Sequence, residues 1–243
     1  MIIPAMDLLQ NRVVRLYQGD YKKTQFYDID PLELVRGYQA EGAEVIHIID
    51  LEGARNAAAR QLDLISEVVK ATGARFQVGG GVRAESDVAE LLDIGVERVI
   101  IGSLAINEPE KVNSWIQSYG KDQIVLALDV SIDADGNRWL PTKGWQSASG
   151  QRLEDVLAAY TDIQHVLCTD ISRDGTLKGS NTVLYEEVVK VYSSIAWQAS
   201  GGIGSLSNVK DVAGTGASGV IVGKALLDGI FTLKEAQICW QNA

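Results

Sequence analysis

Short, continuous runs of apolar residues recur along this chain, each separated from the next by a stretch long enough for an amphipathic helix. Eight such runs occupy residues 2 to 7, 45 to 50, 75 to 79, 98 to 102, 124 to 129, 164 to 169, 195 to 199 and 219 to 222. They are rich in Val and Ile and do not alternate with polar residues, as expected of strands buried on both faces. Between them apolar positions return at helical period, as in Leu62, Ile65, Val68 and Val69, and again in Leu153, Val156, Leu157 and Tyr160. Strand and helix alternating eight times predicts the α/β class, specifically a (β/α)8 TIM barrel, as a single domain over residues 1–243.

The chain also repeats itself. Ile2 to Leu8 aligns with Ile124 to Val130, Val45 to Asp50 with His165 to Asp170, Gln77 to Val82 with Gln198 to Ile203, and Val99 to Gly102 with Val220 to Gly223, always about 121 residues apart. That constancy argues duplication of a (β/α)4 half-barrel and favours a closed ring over an open sheet. The longest stretches without a predicted element, 8 to 30, 131 to 151 and 171 to 180, follow the first, fifth and sixth strands. In a barrel they stand on the C-terminal face, where loops build active sites.

Asp7 and Asp129 end the first and fifth strands, on opposite sides of the ring, and aim two carboxyls at one ligand. That arrangement suits acid–base chemistry if their surroundings separate their pKa values; the plain alternative is that each binds its own loop. Small residues end the third, fourth, seventh and eighth strands: Gly79-Gly80-Gly81, Gly102-Ser103, Ser200-Gly201-Gly202 and Gly223-Lys224. Each cluster precedes a helix, so bare backbone N–H groups can converge on an anion, and the duplication predicts a ligand with a phosphate at each end. Tight turns are the competing use of these glycines. Arg15 and Arg83 stand on face-forming loops within reach of phosphate, with solvation as the bland alternative. Trp145 offers a stacking surface or a hydrophobic plug. His47, a lone strand histidine, reads as a core residue, and Asp174-Gly175 as a turn. Gly214 to Gly219 has the spacing of a dinucleotide fingerprint but precedes a strand instead of following one, which rules it out.

Composition narrows the partners. A net charge of −10 and a pI near 4.7 leave no basic footprint for nucleic acid or anionic membrane, although a small phosphorylated ligand needs only local positive potential. Cys168 and Cys239 have no paired spacing, and with only His47 and His165 beside them they build no zinc or haem pattern, so no metal or cofactor is expected. Neither a basic leader nor a stretch of roughly 18 apolar residues is present, and the expectation is a soluble, cytoplasmic protein. A closed acidic barrel buries its own core, so a monomer acting on a small molecule is expected.

Several motifs together resemble a specific family, the phosphoribosylformimino-aminoimidazole-carboxamide ribotide (ProFAR) isomerases of histidine biosynthesis. They are Ile3 to Leu8, Val14 to Asp20, Gln77 to Arg83, Leu126 to Asp129, Gly144-Trp145-Gln146, Thr169 to Thr176 and Ser200 to Ile203, so the resemblance covers essentially the whole chain. It implies an Amadori-type aldose-to-ketose rearrangement of a bisphosphorylated aminoimidazole ribotide without metal or cofactor. It further implies that Asp129 is the acid assisting ring opening and Asp7 the base removing the C2′ proton. Thr169 would orient the opened sugar, Trp145 stack on the substrate, and Asp174 belong to a loop that closes over it. The chain departs from the family at Gln10-Asn11, where relatives often carry an acidic residue and Gly, and Lys143 and Lys178 occupy variable positions near a phosphate.

Three alternatives stand beside this one. The cyclase subunit of imidazole glycerol phosphate synthase shares the two aspartates but would need a glutaminase partner. Phosphoribosylanthranilate isomerases place Cys at the first acid–base position, where this chain has Asp7. A non-catalytic phosphosugar-binding barrel would keep the glycines and need neither carboxyl.

Overall fold

The computed structural model describes residues 1–142, 145 and 147–243, so Lys143, Gly144 and Gln146 lie outside the described residues. Twelve strands follow in chain order: β1 (Ile2–Leu9), β2 (Arg12–Tyr17), β3 (Asp20–Phe26), β4 (Val45–Asp50), β5 (Arg75–Gly79), β6 (Arg98–Ile101), β7 (Ile124–Ile132), β8 (Arg138–Thr142), β9 (Ser147–Arg152), β10 (His165–Asp170), β11 (Ala196–Ser200) and β12 (Gly219–Val222). Eight of them pair in parallel around a ring, β1-β4-β5-β6-β7-β10-β11-β12, and β12 returns to β1 with Ile221 opposite Ile3. The ring is the expected (β/α)8 barrel, and closure leaves it no free edge.

Two of the three stretches taken as irregular contain strands. β2 and β3 form a hairpin folded antiparallel onto the end of β1, and β8 and β9 do the same on β7. Each half therefore carries a hairpin after its first strand, and the barrel strands beneath run on to Leu9 and Ile132 because the hairpins supply them with ladder partners. The turn into β2 holds Gln10 at φ 54° and Asn11 at φ 57°, the left-handed pair that a two-residue hairpin requires. Their amides are held by the Glu52 carboxylate and the Gln61 side-chain oxygen at 2.9 and 2.6 Å.

Strand pleating sorts the apolar residues into two cores. Inward positions such as Ile3, Ala5, Val45, Ile100, Val125, Leu167 and Ile221 fill the barrel, whereas outward ones such as Ile2, Met6, Leu8, Ile46, Phe76 and Leu126 pack under the helices. Caps fix where helices begin. Asp30 accepts from the amides of Leu32 and Glu33 ahead of helix Pro31–Ala40, and Thr232 and Glu235 form a capping box on helix Leu233–Gln241. No helix among the described residues is long and apolar enough to cross a membrane.

The repeat has a physical meeting point inside the barrel. Gln77 and Gln198, matching residues of the two halves, are both buried and exchange amide hydrogen bonds of 2.8 and 3.1 Å. Removing one carboxamide leaves the other's polar atoms buried without partners, at a cost of about 1–3 kcal/mol, whereas replacing both is close to neutral. Urea unfolding of Gln77→Met should therefore show that loss, and Gln77→Met with Gln198→Met should recover the part owed to the pair, leaving the loss of the Gln77 bond to buried His47 Nδ1. Additive losses in the double variant would mean that the pair is not a unit.

Candidate active site

β1 and β7 stand four places apart in the eight-membered ring, and Asp7 and Asp129 sit two residues beyond the inward Ala5 and Ala127. Pleating therefore points both carboxyls inward at the C-terminal mouth. They line one cavity of about 250 Å³ with Arg15, His47, Trp145, Thr169 and Asp174. Burial raises the pKa of Asp7, the Arg15 charge opposes that rise, and Asp174 adds to it. Burial likewise raises the pKa of Asp129 against the hydrogen bonds of Trp145 and Thr169, and Asp174 adds a smaller push in the same direction.

The two carboxyls keep different company. Arg15, on β2, donates from Nη1 to Asp7 at 2.9 Å and from Nη2 to Asp174 at 2.6 Å, bridging the first and sixth loops. Asp129 instead accepts from the Trp145 indole N–H at 2.8 Å and lies opposite Thr169 in the β7–β10 register. Trp145 holds φ at 68°, a conformation that bulky residues adopt only under constraint. A Cβ built on Gly19 would come within 2.9 Å of the indole ring, so the first and fifth loops meet there.

Asp7 and Asp129 thus each bond the loop after their own strand, and a second duplicated pair does so as well. Asp50 and Asp170, outward-facing and buried, are matching residues of the repeat. Asp50 accepts from the amides of Gly53 and Gln61 and from the Gln61 side chain. Asp170 accepts from the Ser172 amide and hydroxyl and from the Asn181 side chain.

The glycine clusters fall on two opposite sides of the mouth, after the neighbouring strands β5 and β6 and after β11 and β12. Gly202 and Gly223, with Lys224, Arg15 and Asp174, line a small cleft beside the main cavity. Lys224 is salt-bridged to Asp228, which also accepts from the Tyr27 hydroxyl at 2.7 Å. Gly81, Arg83, Gly102 and Ser103 line neither space. Arg83 donates to the Ala54 carbonyl at 3.3 Å, and Ser103 begins helix Ser103–Asn107 on an exposed turn. Close packing is a real use of these glycines: a Cβ on Gly81 would sit 2.5 Å from the Gly53 carbonyl oxygen, and one on Gly202 2.3 Å from that of Gly179.

Tyr21, not singled out in the sequence, also lines the cavity, and His47 is the buried strand residue expected, with its ring on that cavity as well. Tyr21 stands on β3 and donates to the Leu51 carbonyl at 3.0 Å; β3 has no hydrophobic period that could have marked it. Among the described residues no group of three or more His, Cys, Asp or Glu is placed to hold a metal ion.

The family described as "Histidine biosynthesis protein" matches residues 1–232. Proteins of Shewanella loihica, Psychromonas ingrahamii and Vibrio cholerae are 54%, 53% and 52% identical, with 100% of each chain covered. All three bear the name 1-(5-phosphoribosyl)-5-((5-phosphoribosylamino)methylideneamino) imidazole-4-carboxamide isomerase. With identity above half over the full length and a closed parallel barrel, the chain belongs to the histidine biosynthesis protein family.

Proposed function

We propose that this chain catalyses the isomerisation named in its relatives, as an Amadori rearrangement of ProFAR to its ribulosyl isomer with Asp7 as base and Asp129 as acid. The observation that carries the reading is the unequal company of two buried carboxyls across one cavity. A base must begin ionised and an acid protonated. The Arg15 guanidinium favours the carboxylate of Asp7, whereas Asp129 has no cation beside it among the described residues and accepts from the Trp145 N–H and the Thr169 O–H. Surroundings that separate two like groups assign their roles.

In this reading Asp129 protonates the ribose ring oxygen as the C1′–O bond breaks, which gives the Schiff base. Asp7 then takes the C2′ proton, the C–H electron pair becomes the C1′=C2′ bond, and the iminium nitrogen is neutralised; the enol becomes the ketone as Asp7 returns its proton to C1′ and the C2′ hydroxyl proton passes through solvent to Asp129. Thr169, beside Asp129, orients the opened sugar. Trp145 exchanges Asp129 for a stacking contact with the aminoimidazole, and Asp174 closes with its loop. One phosphate is held by Gly81, Arg83, Gly102 and Ser103, the other by Gly202, Gly223 and Lys224, whose ammonium exchanges Asp228 for the ligand. Arg15 stands between that second cleft and Asp7. The chemistry calls for two carboxyls and no cofactor, and a single chain acting in the cytoplasm would suffice.

Asp7→Asn and Asp129→Asn should each lower kcat at least about a hundredfold while substrate still binds; near-normal turnover in a coupled absorbance assay would remove that residue from the mechanism. Arg15 holds the Asp7 pKa down, so Arg15→Gln should move the acidic limb of the kcat/KM profile to higher pH. An unmoved limb would mean that Asp7 ionisation does not set it. Trp145→Ala should raise KM and lower kcat together, because stacking would serve both binding and closure; unaltered kinetics would leave the indole a plug.

A further inference from the structure

His47 belongs to β4 and points inward opposite Ala5, one inward position below the level of Asp7. Its ring lines the same cavity although the residue is only 6% exposed. Burial, with Arg15 nearby, lowers its pKa to about 3, so the ring is neutral over the working range and one nitrogen carries the proton. The amide pair on the barrel axis bears on which nitrogen it is. Gln77 Nε2 donates to Gln198 Oε1 at 2.8 Å, and Gln198 Nε2 returns to Gln77 Oε1 at 3.1 Å. The second hydrogen of Gln77 Nε2 is then directed at His47 Nδ1, 2.9 Å away. A nitrogen that accepts carries no proton, so with the carboxamides in this orientation the hydrogen resides on Nε2. Nε2 has no protein partner among the described residues, and it is absent from the polar atoms sealed away from solvent. For a residue buried this deeply, the opening it keeps is the cavity.

We infer that His47 presents a neutral Nε2–H to the substrate, as a hydrogen-bond donor to a hydroxyl oxygen of the sugar being isomerised, and that the Gln77–Gln198 pair holds it in that tautomer. The inference rests on the reaction proposed above. Asp7 would take a proton from a carbon that bears a hydroxyl; as the enol form then becomes a ketone, C1′ gains a proton, the hydroxyl gives up its own, and negative charge gathers on that oxygen. A neutral donor placed there in advance stabilises the shift. An imidazolium would instead compete with Arg15 for Asp7. The matching residue of the second half is Leu167, so the donor stands on the Asp7 side alone. His47 would thus touch substrate, and Gln77 and Gln198 would be positioning residues.

Two measurements test this: 15N NMR of the imidazole in the free protein, and steady-state kinetics with ProFAR for His47→Phe, His47→Gln and Gln77→Met. The expected spectrum shows the Nε2–H tautomer from about pH 5 to 8. The expected kinetics are a loss of at least about tenfold in kcat for His47→Phe with little change in KM, and partial recovery in His47→Gln, which restores an N–H. Gln77→Met should give a smaller loss and a mixed tautomer. An Nδ1–H ring, or near-normal kcat in a folded His47→Phe protein, would overturn the inference; if that variant does not fold, the spectrum and Gln77→Met decide. A wild-type chain that fails to convert ProFAR would overturn the reaction itself, whereas a converting one with an Nδ1–H ring would overturn only the role of His47.

Discussion

An eight-stranded ring has one narrow interior, and every inward side chain must share it. Pleating admits alternate residues of each strand, so position along a strand determines depth along the axis. The lower inward positions are apolar and fill the barrel, with Ile3, Val125 and Leu167 among them. Deeper than the mouth, polar side chains survive only by satisfying each other, as Gln77 and Gln198 do. At the mouth Asp7, Asp129 and Thr169 line the cavity, under Arg15 and Trp145. The cavity is thus the top layer of a packed barrel interior.

Duplication supplied this interior with pairs, and later differences between the halves gave the pairs distinct properties. Asp50 and Asp170 kept matching tasks, each fastening the loop above it. Asp7 and Asp129 did not, because the hairpin of the first half brings a guanidinium to one and the fifth loop brings an indole to the other. Unlike neighbours on like groups are what acid–base chemistry at a single pH requires. His47 and Leu167 extend the asymmetry downward by one inward layer.

The barrel was legible because its strands are buried on both faces and therefore read as unbroken apolar runs, from Ile2, Val45 and Ile124 onward. That same property hid which aspartates face the cavity. When both faces are apolar, the sequence does not reveal the parity of a strand, and Asp50 carries the same strand-terminal signal as Asp7 while pointing the other way. The hairpins escaped because β3 carries exposed Lys22 and Lys23 and β9 reads Ser-Ala-Ser-Gly-Gln-Arg, neither with a hydrophobic period of its own. Their order comes from pairing with strands already in place. The contact of Arg15 with Asp174 was equally out of reach, since both residues are polar loop candidates until closure brings them together.

The Arg15–Asp174 bridge spans 159 residues of sequence, and the ring itself is shut by β1 meeting β12. Contacts of such separation carry the largest loop-closure entropy and tend to form late. The two halves can therefore gain strands, helices and local caps well before the guanidinium finds its second carboxylate. The bridged arrangement of the mouth would thus arrive as the last step of folding and depart as the first step of unfolding, so that a partly opened barrel can keep most of its secondary structure after its mouth has come apart.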